Sequence, residues 1–188
     1  MSKKNYKKGD LTTLITLSKQ GDTNALEELI KRTQKQVYTM FLHLTNNRHD
    51  VSDLTQEVLL KMAKSISSLK DVSAFKSWLD RIITNTFYDY AKKKDDSIVD
   101  IDESKLNEIK DKLNCEPGEK CLFTEIEKLI RAALMTLPQD LRLSIVLREY
   151  EGLSYQDIAQ ITNCALGTVK SRISRARLKL QEELKEFI

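Results

Sequence analysis

The chain has 188 residues, 40% of them hydrophobic and 31% charged, which allows a packed core in one ordinary domain or two small ones. Only 5 Gly and 2 Pro occur, too few for a turn-rich β-sandwich or a glycine-looped nucleotide fold, so an all-α class is expected. The net charge of +3 is unevenly spread: residues 1–94 hold 17 Lys and Arg against 10 Asp and Glu, residues 95–127 hold 4 against 11, and residues 128–188 hold 10 against 7.

The N-terminus, with Lys3, Lys4, Lys7 and Lys8, is basic but has no apolar run behind it, so no signal peptide is expected. No stretch approaches the ~20 apolar residues that span a bilayer, and no membrane insertion is expected. Residues 10–46 read as two helices around a break at Gly21-Asp22. Leu14 and Leu17 mark the apolar face of the first; Leu26, Leu29, Ile30, Val37, Phe41 and Leu44 continue at helical spacing in the second. Asn46-Asn47-Arg48 is a turn, and Ser52 or Asp50 is placed to cap a third helix that turns Leu54, Val58, Leu59 and Met62 inward. After a polar loop over 65–73, a fourth helix is expected from about Ala74 to Lys94. At about 100° per residue, Phe75, Leu79, Ile82, Ile83, Thr86 and Tyr90 form its buried stripe. Trp78, Arg81, Asn85, Tyr88 and Lys92 gather on another side, mixing aromatic, amide and cationic groups on an exposed face.

Residues 95–120 change character, with Asp95, Asp96, Asp100, Asp102 and Glu103, no aromatic residue, and a Glu116-Pro117-Gly118-Glu119 run. They read as an acidic flexible linker. Beyond about Cys121 come a helix to Leu137, a stop at Pro138, a helix from Gln139 to Tyr150, and Glu151-Gly152. Cys115, Cys121 and Cys164 fit neither a disulfide framework nor a zinc spacing, so a reduced cytoplasmic setting is expected and no metal or other cofactor is implied.

The strongest pattern spans residues 152–180. Ser154 and Asp157 have the spacing of a capping box, with Asp in place of the usual Glu or Gln. A short helix carries Ile158, Ala159 and Ile161, the small Ala159 permitting a close helix crossing. Thr162-Asn163-Cys164 makes a tight turn, and Gly167 and Thr168 open a second helix that Thr168 is placed to cap. Val169, Ile173, Ala176 and Leu180 line its inner side. Ser171, Ser174, Arg175 and Leu178 centre the opposite side, with Thr168 and Lys170 at its margins. Residues 166–179 contain Lys170, Arg172, Arg175, Arg177 and Lys179 and no acid. Such a helix-turn-helix fits the major groove, where arginine pairs with guanine and hydroxyls reach base edges or phosphate. The two basic blocks agree with a polyanionic partner, although two solvated surfaces joined by a solubilising linker would carry the same charges.

Residues 137–177, from Leu137-Pro-Gln-Asp-Leu-Arg onward, resemble the C-terminal promoter-reading domain of the extracytoplasmic-function (ECF) group of the sigma-70 family. Asp53-Leu-Thr-Gln-Glu-Val58 and Phe75-Lys-Ser-Trp-Leu-Asp-Arg-Ile82, with Asn85 and Asp89 beyond, resemble that family's N-terminal core-binding and melting domain. The resemblance implies two small helical domains, a region 2-like bundle over 10–94 and a region 4-like domain over 121–188, joined by the linker 95–120. It implies an RNA polymerase sigma factor, not an enzyme. Asp53, Gln56, Glu57 and Lys61 would dock on the clamp helices of the largest polymerase subunit, and the second domain would meet the flap region of the second-largest. Trp78, Arg81, Asn85, Tyr88 and Lys92, with the loop 65–73, would handle the melted −10 element, where an unstacked base needs an aromatic pocket and polar edges. Thr168, Lys170, Ser171, Ser174 and Arg175 would read the −35 element of promoter DNA, with Arg172 contributing a phosphate contact or holding the fold. An anti-sigma factor is the implied regulator. Ala165, Lys170 and Ser174 depart from residues common in relatives, so a promoter sequence does not transfer.

Other functions fit parts of the pattern. A helix-turn-helix regulator would bind duplex operators without polymerase, and an adaptor would use the basic helix against protein. An enzyme would need a site: His49, Asp53 and Glu57 recur every four residues and could present a metal-ligand stripe, but no second cluster, phosphate loop or nucleophile motif joins them.

Overall fold

The computed structural model describes Tyr6 and residues 9–95 and 125–185. The expected linker, with Cys115, lies outside the described residues apart from Asp95, as do Cys121 at the expected start of the second domain and the basic N-terminal lysines. Eight α-helices occur among the described residues: α1 Leu11–Lys19, α2 Thr23–Leu44, α3 Arg48–Ser65, α4 Phe75–Asp95, α5 Glu125–Thr136, α6 Gln139–Glu149, α7 Tyr155–Ile161 and α8 Leu166–Leu184. The chain divides into two compact units, Met1–Tyr88 with Gln160–Asn163 and Asp89–Ala159 with Cys164–Ile188. No helix among the described residues is long and apolar enough to cross a membrane.

Side-chain caps set the helix starts in the first unit. Asp10 accepts from the Thr13 amide at 3.0 Å, and hydrogen bonds from Thr13 hold its carboxyl below the ordinary carboxylate value. Gly21 then takes a left-handed φ of 88°, which stops α1 at little steric cost, and Asp22 starts α2 by accepting from the Asn24 and Ala25 amides, both at 3.0 Å. Asn47, extended at φ −91° and ψ 121°, caps α3 through its side-chain oxygen, 2.9 Å from the His49 amide. The expected caps, Ser52 and Asp50, both lie inside the helix. Asp50 falls in its first turn, where a carboxylate favours the positive end of the helix dipole without defining the start.

Helix α2 packs against α1 and α3. Leu14, Leu29, Val37, Phe41 and Leu44 are buried there with the expected Leu54, Val58, Leu59 and Met62 of α3. Leu17, Leu26 and Ile30 are only half-buried, while Ile15, Ala25 and Met40 are buried. Two 3₁₀ turns, Ile66–Ser68 and Val72–Ala74, occupy the expected polar loop. Ile66 and Leu69 are buried, so the loop is anchored to the core.

The buried side of α4 is wider than its expected stripe. Phe75, Leu79, Ile83 and Thr86 are buried, but Ile82 and Tyr90 are half-buried, and cover extends instead to Asp80, Thr84, Phe87 and Ala91. These residues span an arc of about 180° at 100° per residue. Tyr90, on the same side but only half-buried, accepts at its phenol oxygen from the Lys94 ammonium at 3.0 Å.

In the second unit α8 packs mainly on α6 and also on α5. Pro138 precedes α6 without a side-chain cap. The guanidinium of Arg142 takes over the end of α5, donating to the Met135 and Leu137 carbonyls at 3.1 and 2.8 Å. Helix ends leave such carbonyls without intrahelical donors. Leu143, Val146 and Leu147 of α6, Ile158 of α7, and Val169, Ile173 and Ala176 of α8 are all buried. Leu180, expected on the inner side, is half-buried.

Candidate nucleic-acid interface

The helix-turn-helix is fixed by short-range bonds that the local sequence encodes. Ser154 and Asp157 form a reciprocal capping box: the Asp157 amide donates to Ser154 Oγ at 3.1 Å, and the Ser154 amide donates to the Asp157 carboxylate at 3.3 Å. Asp157 thus fills the place of the longer Glu or Gln. Arg148 secures the approach, donating to the Leu153 carbonyl at 2.7 Å with its guanidinium 5.0 Å from the Tyr155 ring centroid. After α7 the Cys164 amide donates to the Ala159 carbonyl at 3.0 Å, and Asn163 takes a left-handed φ of 51°. Such backbone is tolerated by Asn better than by most non-glycine residues.

Helix α8 starts earlier than the sequence indicates. Ala165 is its N-cap, extended at φ −65° and ψ 146°, with no side-chain cap bond. Thr168 therefore sits in the first turn and does not cap the helix. Its amide donates to the Ala165 carbonyl at 2.9 Å, and its own carbonyl accepts from Ser171 Oγ at 2.9 Å.

Lys170, Ser174 and Arg175 are exposed, and Thr168 and Ser171 are half-buried. All five stand away from the buried Val169, Ile173 and Ala176. Arg172 differs: it is half-buried, its guanidinium pairs with Asp140 at the start of α6, and a second guanidinium nitrogen lies 3.7 Å from Cys164 Sγ. Arg177 pairs with Glu149 at 2.7 Å, a hydrogen bond that raises its guanidinium above the ordinary arginine value. Asp140 and Glu149 as anchors had no signal in the sequence, because they lie 32 and 28 residues from their partners.

In the first unit Asp53, Gln56 and Glu57 form an exposed ridge on α3. Lys61 is half-buried, paired with Glu57 at 2.7 Å and donating to Thr86 Oγ1 at 3.0 Å, so it ties the ridge to α4. Leu60, not among the residues expected to act, is exposed on the same side. An apolar residue outside the stripe of Leu54, Val58, Leu59 and Met62 was the available signal. On α4, Arg81, Asn85 and Lys92 are exposed while Trp78 and Tyr88 are half-buried. All five fall on the side opposite the buried arc. Trp78 leans on Phe75, ring centroids 5.9 Å apart, and Tyr88 on Phe87 at 6.3 Å. Each aromatic thus packs against a neighbouring ring while staying only half-buried. Among the described residues no three His, Cys, Asp or Glu side chains converge on a metal-sized site, and Glu57 of the suspected stripe is committed to Lys61.

Comparison with known proteins meets this geometry at both ends of the chain. The family "Sigma-70 region 2" matches residues 29–96, and "Sigma-70, region 4" matches residues 127–180. The ECF RNA polymerase sigma-E factor of Haemophilus influenzae is 34% identical over 181 residues, covering 93% of this chain and 95% of that protein. The chain belongs to the sigma-70 family, in its ECF group. The RNA polymerase sigma-H factor of Pseudomonas aeruginosa is 31% identical over 93% of this sigma factor and 94% of its own length. Among solved structures, the sigma factor RpoE from Bartonella quintana, determined with the anti-sigma factor NepR, matches with a TM-score of 0.64 and 29% identity, covering 85% of this sigma factor and 96% of that chain. CnrH, solved with the cytosolic domain of CnrY, gives the same TM-score at 21% identity and shares the fold.

Proposed function

We propose that this sigma factor binds core RNA polymerase and gives it promoter specificity, with a domain over 10–94 and a domain over 121–188 reading separate elements and the acidic segment 95–120 as the tether between them. The observation that carries this is the outward face of α8, where Lys170, Ser174 and Arg175 are exposed and no acid occurs from 166 to 179. Thr168, Lys170, Ser171, Ser174 and Arg175 read the −35 element. Arg172, held by Asp140, orients the helix and leaves at most a phosphate contact to its remaining donors. Asp53, Gln56 and Glu57 dock on the clamp helices of the largest polymerase subunit, with Lys61 bracing the ridge from behind. The second domain also meets the flap of the second-largest subunit.

Trp78, Arg81, Asn85, Tyr88 and Lys92 receive the melted −10 strand, the half-buried aromatics stacking a displaced base and the cations holding its backbone. The protein itself catalyses nothing: it stabilises contacts, and the polymerase performs the chemistry. Its place is the cytoplasm, and an anti-sigma factor holds it inactive, as the structural relative bound to NepR supports. In vitro transcription with purified core polymerase on a pool of genomic promoters is the test. Transcripts sharing paired upstream and downstream elements are expected only when this chain is added. Tight binding of the isolated chain to duplex targets, with no transcripts from core polymerase, would instead mark a duplex-binding regulator.

A further inference from the structure

On the outward face of α8, Leu178 is a large apolar side chain left 58% exposed. At about 100° per residue, Ser171, Ser174 and Leu178 fall within about 60° of one another, opposite the buried Val169, Ile173 and Ala176. Lys170 and Arg177 run along one margin of this strip, Arg175 and Lys179 along the other, and all four are exposed, Arg177 with its guanidinium paired to Glu149. The helix thus presents two cationic rails with an uncharged strip between them. Phosphates flank a major groove and base edges form its floor, so the long cations of the rails can reach phosphate or the outer base edges, and the strip between them faces the floor. Ser171 and Ser174 have hydroxyls to exchange with base edges. Leucine has none, and the apolar group that the four bases present in the major groove is the 5-methyl of thymine.

We propose that Leu178 is a base-reading residue that packs on the 5-methyl group of one thymine in the upstream promoter element, an inference that rests on the function proposed above. It lies seven residues beyond Ser171, about 10 Å along the helix axis. A protein surface is the competing occupant of an exposed leucine, but the cations on both margins, with no acid from 166 to 179, match nucleic acid better than a protein groove.

The test uses the holoenzyme on a promoter it transcribes, with deoxyuridine replacing each thymidine of the upstream element in turn. Uracil keeps the pairing and the O4 acceptor and removes only the methyl. Wild type is expected to lose roughly fourfold in initiation at one position, the worth of one buried methyl group. Leu178→Ala should lose about as much on the thymidine template and nothing further with uracil at that position. Leu178→Met, which keeps an apolar tip, should remain uracil-sensitive. Wild type indifferent to uracil throughout overturns the proposal without needing any variant to fold. Leu178→Ala remaining as sensitive as wild type overturns it too. A Leu178→Ala loss with wild type indifferent to uracil would place the leucine against protein. If wild type gives no transcript on any promoter, the sigma function itself fails, a result distinct from all of these.

Discussion

Arg172 and Arg175 lie less than one turn apart on the same helix, yet their surroundings assign them different work. Arg172 is 20% exposed and paired with Asp140, whereas Arg175 is exposed on the far side. Arg175→Ala should weaken promoter use by ~1–3 kcal/mol if it makes a good base contact, with the melting temperature unchanged. Arg172→Ala should do the reverse. A half-exposed ion pair is worth up to ~1 kcal/mol, so thermal unfolding should move by a few degrees while base preference in the upstream element stays as it was. Profiling both variants against a randomised element, beside their melting curves, separates the roles. Relaxed preference at a single base in Arg172→Ala would move that residue into the base-reading set. Tyr88 is tested at the same scale. Its ring leans on Phe87 and is half-buried on the side of α4 away from the core, so Tyr88→Ala should spare core polymerase binding and slow strand opening, read as delayed permanganate reactivity of the melted thymines.

Single elements show why some features were legible in the sequence and others were not. The capping box at Ser154 was legible because its bonds span three residues. The break at Gly21-Asp22 was legible because a glycine and a capping carboxylate stand side by side. The start of α8 was missed: Ala165 caps without a side chain, so the eye passes to Thr168. The breadth of the α4 core was missed because Asp80 and Thr84 are polar yet fully buried, and periodicity takes polarity for exposure. The site shares this split. Its face composition follows from one helix, but the withdrawal of Arg172 depends on Asp140 in another.

Glycine substitutions test the frame of the helix-turn-helix itself. Gly152 has φ 69° and Gly167 an ordinary helical backbone, and an added Cβ meets nothing within 4 Å at either. Only backbone preference distinguishes them. Gly152→Ala should therefore destabilise by ~1 kcal/mol, and Gly167→Ala should stabilise by ~0.5–1 kcal/mol, both measured by denaturant unfolding. Equal losses in the two variants would mean that the turn before α7 is not held as described.

Across the whole molecule the decisive quantity is the placement of charge, not its sum. The basic blocks of residues 1–94 and 128–188 are balanced by a segment, 95–127, with seven more acids than bases. Acids on the same chain as the α8 cations are expected to compete with phosphate for them in the protein without polymerase. The α8 rails offer four exposed cations, one of them paired with Glu149, so the contribution of α8 to the salt dependence of duplex binding should be a log–log slope no steeper than roughly −4. Replacing Asp96, Asp100 and Asp102 by Asn and Glu103 by Gln should then tighten binding of the free protein to nonspecific duplex severalfold at about 50 mM salt. The gain should fade toward about 200 mM, where charges separated by more than ~8 Å are largely screened. A titration series over salt for both proteins reads this directly. An unchanged affinity would show that the acids do not reach the DNA-binding face. A gain that persisted at high salt would show that they act by contact and not by field.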